Sequence, residues 1–145
     1  KSGVLTHLLH SEATARRFGV NPTGHAGLGA KVSVSPDWLV VSKSESEPDI
    51  DKNLSIKSTL KEYILVDELS ALHSGVKASQ GSFSLPFDGW IVNDGKKKSI
   101  EAATVAGDIL KVLNSIIKIE QEPIVTHQGI SPYVWVENMS ITGEA

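Results

Sequence analysis

The chain has 145 residues, a hydrophobic content of 40%, a charged content of 21% and a formal net charge of -3. That is enough for one soluble domain with an ordinary core, and it argues against a dedicated nucleic-acid surface, which would need an excess of Lys and Arg. No apolar run approaches the roughly 18 residues a membrane span requires, and the absence of cysteine excludes disulfides and thiolate metal sites while fitting a reducing compartment.

The sequence starts at Lys1 without an initiator Met, within a segment that reads as a strand. The expectation is a single domain over residues 1–145, forming the C-terminal part of a longer protein. No signal-peptide pattern is read, so a cytoplasmic location is expected. Val4, Leu5, Leu8 and Leu9 suggest a strand, or a strand running into a helix. Ser11-Glu12 then reads as a helix start, with the Ser hydroxyl capping free amides and the Glu at the positive end of the dipole. Arg16 and Arg17 suit its last turn, and Gly19 suits a left-handed stop.

Residues 21–30, NPTGHAGLGA, form a glycine-rich loop. A phosphate cradle would need a strand leading in, a helix following and a Lys-Ser/Thr pair, none of which is read here, so a sharply turning backbone is the simpler account. Residues 31–35 and 38–42 read as strands around Pro36-Asp37. The continuous apolar run Trp38-Leu39-Val40-Val41 predicts burial on both faces. Residues 42–53, SKSESEPDIDKN, suggest a mobile charged excursion. Residues 54–60 fit strand or short helix equally. Residues 63–66 predict a strand reaching as far as Leu72, and 73–80 a loop.

The most consistent stretch is 81–113. Phe83, Leu85 and Phe87 alternate with polar or turn residues, as in a strand with one buried face. Asn93-Asp94-Gly95 offers a hairpin reversal, because these residues tolerate positive φ. Residues 100–106 then run back as a second strand. Asp108 caps a helix carrying Ile109, Leu110, Leu113, Ile116 and Ile117 at helical spacing, and residues 116–119 either extend it or begin a strand. Residues 120–129 are polar and show no clear periodicity, whereas 133–136 and 139–141 read as strands. Strands outnumber helices and do not alternate with them. The expectation is therefore an α+β fold: a β-rich mixed or antiparallel sheet, curved or partly barrel-like, with about two short helices.

No residue stands out as a catalyst. His7 and His10 are three apart without the glutamate or spacing of HExxH, and zinc needs three or four converging ligands. His25, His73 and His127 fall in loop-like segments. The acids Glu45, Glu47, Asp49 and Asp51 lie in the charged excursion, which cannot promise the fixed separation that acid–base work requires. Lys96-Lys97-Lys98 reads as a solvated strand start after a turn glycine, with an anion or partner contact as the competing reading. Trp38, Trp90 and Trp135 each fall in expected strands, as packing residues rather than a ligand platform. There is no Gly-x-Ser-x-Gly elbow and no thiol. The expected catalytic, cofactor-binding and metal-binding residues within this chain are accordingly none.

An ordered set of segments nevertheless resembles the C-terminal domain of the TldD/PmbA family. It comprises Thr14-Ala15-Arg16-Arg17-Phe18-Gly19 with Pro22-Thr23-Gly24-His25-Ala26, then Gly-Ser-Phe-Ser from Gly81, Gly-Trp-Ile-Val from Gly89, Thr104-Val105-Ala106-Gly107-Asp108, Ser131-Pro132 and Met139-Ser140-Ile141-Thr142-Gly143. The resemblance implies a link to metal-dependent peptide cleavage, peptide maturation and breakdown of unfolded peptides, and an older name as modulator of DNA gyrase. Active members hold the metal with an upstream HExxxH helix and a cysteine of the C-terminal domain; PmbA (TldE)-type subunits lack that pattern and pair with an active subunit. This chain has neither HExxxH nor any cysteine, and resembles the PmbA-like branch. Where the family often has asparagine, His25 and Asp108 stand, and where it often has proline, Ser99 stands.

The implied role is a non-catalytic C-terminal domain in a homo- or heterodimer with a TldD/PmbA-type subunit, acting on peptides or unfolded proteins. The resemblance leaves a divalent metal such as zinc to the partner subunit, with His127 as the one imidazole of interest in this chain. The alternative is a non-proteolytic peptide- or protein-binding module, regulatory in a gyrase-modulator-like way, whose exposed strand edge accepts an extended peptide. Neither reading involves direct contact with nucleic acid or a membrane.

Overall fold

A computed structural model describes residues 4–42 and 59–143. Two units separate by contacts. Lys1–Glu47 and Glu120–Tyr133 make the first, and Pro48–Ile119 and Val134–Ala145 the second.

The second unit is built on two long strands, β6 (Ser82–Asn93) and β7 (Lys96–Asp108). They form the antiparallel hairpin that Asn93-Asp94-Gly95 predicts: Asp94 has φ 45° and Gly95 φ 77°, the paired positive values of a tight hairpin turn. β4 (Glu62–Leu69) lies antiparallel on the other side of β6, and β10 (Ser140–Thr142) on the other side of β7. The resulting order is β10-β7-β6-β4, with the short β5 (Val76–Lys77) also pairing β6. Alternation then does what the pattern requires. Leu85 and Phe87 turn inward with Ile100, Ala103 and Val105 to form the core, and Phe83, Ile91, Met139 and Ile141 pack against it. Phe87 is 1% exposed. Tyr63 and Trp135 meet edge-on, ring centroids 5.1 Å apart.

Asp108 caps α3 (Ile109–Asn114) as its sequence suggests, accepting from the N–H groups of Leu110 at 2.9 Å and Lys111 at 3.2 Å. The helix stops earlier than the apolar spacing implies. Ser115 closes it through its own N–H to Lys111 and Val112, and Ile116 begins β8 (Ile116–Thr126). The β-branched Ile116-Ile117 pair favours a strand. The polar segment after it also continues as β8, turns at 127–128, and returns as β9 (Gly129–Val136). Residues 73–80, expected as loop, hold a single-turn helix α2 (Leu72–Gly75) followed by β5.

In the first unit α1 (Glu12–Phe18) keeps the expected caps. Ser11 Oγ accepts from Thr14 N, and Gly19 sits in the left-handed region with φ 66°. Glu12 and Arg16 form an exposed i,i+4 ion pair at 3.0 Å. β1 (Ala26–Gly27) emerges from the glycine-rich loop and pairs with β2 (Ser33–Val34), the remnant of the expected 31–35 strand. β3 (Leu39–Val40) runs parallel to β9 at the end of the order β3-β9-β8.

Two expectations fail here. Residues 4–10 form no regular element. Trp38 to Val41 is not buried on both faces, since Trp38 is 48% and Val40 63% exposed. β3 is two residues long, and among the described residues it pairs with β9 alone. Among the described residues of this unit only Ser11, Ala15, Gly129 and Pro132 are buried, so it encloses no large apolar side chain. The charged excursion at 42–53, with Glu45, Glu47, Asp49 and Asp51, and most of 54–60, lie outside the described residues.

The result is an α+β chain dominated by strands, with three short helices among the described residues. None of its sheets closes on itself.

Candidate functional site at a double bulge

Midway along β6 both of its neighbours lose register. On β4, Val66 faces Gly89 and Glu68 faces Asp88, so Asp67 is an extra residue. On β7, Phe87 faces Ala103 while Gly89 faces Ile100, so Glu101 and Ala102 together oppose Asp88. Bulges re-aim side chains and often stand beside functional sites. Here two of them flank the same pair, Asp88-Gly89.

Each bulge is braced by a carboxylate. Asp88 Oδ1 accepts from the N–H of Ala102 at 3.1 Å, holding the turn at which Ala102 reaches φ 56°. Asp67 Oδ2 accepts from the indole Nε1–H of Trp90 at 2.6 Å. Between these braces the strands come very close, and a Cβ on Gly89 would lie 2.1 Å from the carbonyl oxygen of Leu65.

On the face carrying Asp88 and Trp90 the bulges open a shallow cleft of about 530 Å³. Asp67, Asp88 and Glu101 rim it, Pro86, Trp90 and Ile100 supply apolar surface, and Ser70 and Ser99 add hydroxyls. Lys97 Nζ stands 5.9 Å from the centroid of Trp90. The lining has no histidine, lysine or cysteine, and two of its carboxylates are already committed to N–H donors. Such a site can accept hydrogen bonds and stack a flat or cationic group, but it holds no base poised on a serine.

The histidines do not converge. His7 is exposed, with Nδ1 3.1 Å from Thr6 Oγ1. His10 is half-buried, its ring 5.6 Å from that of Phe18, and its backbone N–H donates to Thr23 Oγ1 at 2.8 Å. With no helix over 4–10, the three-residue spacing of His7 and His10 does not place them on one face. His25 is half-buried, and its carbonyl accepts from Ser35 N at 3.2 Å. His73 lies in α2 and His127 in the β8–β9 turn, both exposed. Among the described residues no three His, Asp or Glu side chains could hold a metal ion, and the chain has no cysteine. The described donors therefore do not by themselves fit the metal that the family resemblance implies.

Lys96, Lys97 and Lys98 open β7 and are exposed, with Ile91, Asn93 and Asp94 around them. Asp67, Asp88 and Glu101 were not singled out by the sequence. The available signal was Asp88-Gly89 inside a strand pattern, since a strand glycine marks a bulge or a close backbone approach.

Residues 1–143 match the family model described as the PmbA/TldA metallopeptidase C-terminal domain. The chain belongs to this family. Across 149 residues it is 28% identical to the metalloprotease PmbA of Escherichia coli O157:H7, a match covering 99% of the chain and 29% of that protein. A crystal structure of a proposed modulator of a DNA gyrase from Thermotoga maritima superposes with a TM-score of 0.70 at 26% identity, over 98% of this chain and 32% of that one. A proposed modulator of DNA gyrase from Bacteroides thetaiotaomicron gives a TM-score of 0.69 at 21% identity, over 98% and 29% respectively, and supports the fold alone. The chain thus spans less than a third of each of these three proteins. Within that span Gly89, beside the double bulge, opens the Gly-Trp-Ile-Val segment of the resemblance.

Proposed function

We propose that this chain is the C-terminal domain of a PmbA-type subunit, supplying scaffold and interface rather than bond-breaking groups to a metallopeptidase assembly that acts on peptides or unfolded proteins. The observation that carries this reading is the match over residues 1–143 in a chain without cysteine and without a three-donor cluster among its described residues. Divalent metal, zinc by the chemistry of such peptidases, is then held by an active partner subunit in the cytoplasm. Assembly is further supported by the first unit, where Leu5, Phe18 and Leu28 are 78%, 65% and 94% exposed and no large apolar side chain is buried among the described residues.

The test compares the complete protein alone and with an active family subunit, on casein or a denatured peptide, with and without chelator. Cleavage should appear only in the mixture and vanish with chelator. Chelator-sensitive cleavage by the protein alone refutes the non-catalytic role.

A second reading, a peptide- or protein-binding module unconnected with proteolysis, is favoured by the outer side of β4, along which no described strand lies. Affinity capture that recovers a stable partner other than a metallopeptidase subunit would select it.

A further inference from the structure

We propose that Met139 is a peroxide-sensitive latch on the last strand: oxidation of its thioether to the sulfoxide releases β10 from β7 while the β6–β7 hairpin stays folded.

The sequence confines sulfur chemistry to one atom. The chain has one methionine and no cysteine, so Met139 Sδ is its only sulfur. A thioether fills irregular apolar gaps and is oxidised reversibly, which turns a flexible apolar side chain into a polar one.

The position of Met139 makes that change consequential. Glu137 N–H donates to the Ser115 carbonyl at 3.1 Å, and Asn138, at φ 58°, then turns the chain towards β10. β10 is three residues long, matched to β7 as Ser140↔Ala106, Ile141↔Val105 and Thr142↔Thr104. Alternation puts Met139, Ile141 and Gly143 on one face. Met139 and Ile141 pack against the core, whereas Gly143 lies so close to Ala103 that a Cβ there would stand 2.9 Å from the Ala103 Cβ. Two apolar side chains and a three-residue ladder therefore fasten the strand.

Of those two, Met139 lies where glycine leaves room. A Cβ on Gly107 would stand 3.4 Å from Met139 Cε and 3.1 Å from Phe83 Cζ. The end of the thioether is thus set between an aromatic ring and bare backbone. A sulfoxide oxygen there is a strong acceptor, and neither the ring nor the Gly107 Cα offers it a donor. Leaving it unpaired is costly, and the strand relieves that cost by lifting away. Opening stays local, because β7 keeps its ladder with β6 from Lys96 to Asp108. It bares the backbone of residues 104–106, a strand edge of the kind that extended peptides pair with.

Met139 is half-buried, so a small peroxide reaches it. A lone pair of Sδ attacks one peroxide oxygen. The S–O bond forms as the O–O bond breaks, and the second oxygen leaves as water with the proton of the first. Sulfur gives up two electrons and the peroxide takes them. Methionine sulfoxide reductases restore the thioether.

The test treats the complete protein with dilute hydrogen peroxide, locates added oxygen by peptide mass mapping, and follows backbone hydrogen exchange. Met139 should gain one oxygen. Exchange at 104–106 and 140–142 should then run about tenfold faster, as expected for losing a local interaction of this kind, with 85–92 unchanged. Sulfoxide reductase should reverse both effects, and Met139→Leu should exchange slowly before and after peroxide. The proposal is overturned if Met139 stays unoxidised at doses that convert a free methionine peptide, or if its sulfoxide leaves exchange unchanged. It is equally overturned if 85–92 accelerate as well, or if Met139→Leu responds to peroxide like the parent. Should Met139→Leu itself loosen β10, recovery of slow exchange in the reductase-treated parent decides.

Discussion

Gly89 is where β4, β6 and β7 are forced into their particular spacing. Any side chain there meets the Leu65 carbonyl at 2.1 Å, a backbone atom that cannot swing aside. Gly89→Ala should therefore cost about 3 kcal/mol, at the upper end of overpacking penalties, and should disturb the Trp90–Asp67 contact next to it. Gly95→Ala is the instructive contrast. Nothing lies within 4 Å of its added Cβ, and the cost comes only from φ 77°. About 1 kcal/mol is expected for that conformational strain. Urea titrations followed by tryptophan fluorescence would rank the two, and equal midpoints would show that the close approach at Gly89 is relaxed in solution. Phe87→Ala, which truncates the largest fully buried side chain among the described residues, should cost about 3–5 kcal/mol by the same measurement.

At the level of elements, the parts legible in the sequence were those whose ends are written in local chemistry. Ser11 and Gly19 bound α1, Asp94-Gly95 turns the β6–β7 hairpin, and Asp108 starts α3. Removing the Asp108 carboxylate orphans two N–H groups, so Asp108→Ala should cost about 1 kcal/mol, whereas Asp108→Asn keeps an acceptor oxygen and should be near neutral. Chemical denaturation of the two variants checks this, and equal losses would assign the effect to charge rather than to capping. Elements decided by distant pairing were less legible. Ile116 and Ile117 continue the helical spacing of Ile109 and Leu113, yet β8 takes them. Trp38 to Val41 reads as an inner strand, yet only Leu39 and Val40 form β3, with one described neighbouring strand, and all four side chains are exposed. Apolar periodicity reports which side chains prefer burial, but not whether a second neighbour exists.

Across the whole molecule, the candidate site was illegible for a related reason. Asp67, Asp88 and Glu101 lie far apart in sequence, and only the two register shifts bring them to one cleft. A strict period-2 reading assumes those shifts away. The family, by contrast, was legible, because ordered segments survive where no single chemical motif does. Carboxylates of the β framework brace its bulges, and the proposed non-catalytic role can be tested at the one imidazole the resemblance drew attention to. His127 is exposed in a two-residue turn, and no described trio of donors includes it. Zinc bound through a lone imidazole would lack the three or four protein ligands that hold it firmly. In a metal-loaded complex with an active subunit, His127→Ala should leave the zinc content per complex unchanged by elemental analysis, while substitution of the partner's own ligands should abolish it. Loss of metal on changing His127 alone would place this chain in the coordination sphere and end its reading as a purely structural domain.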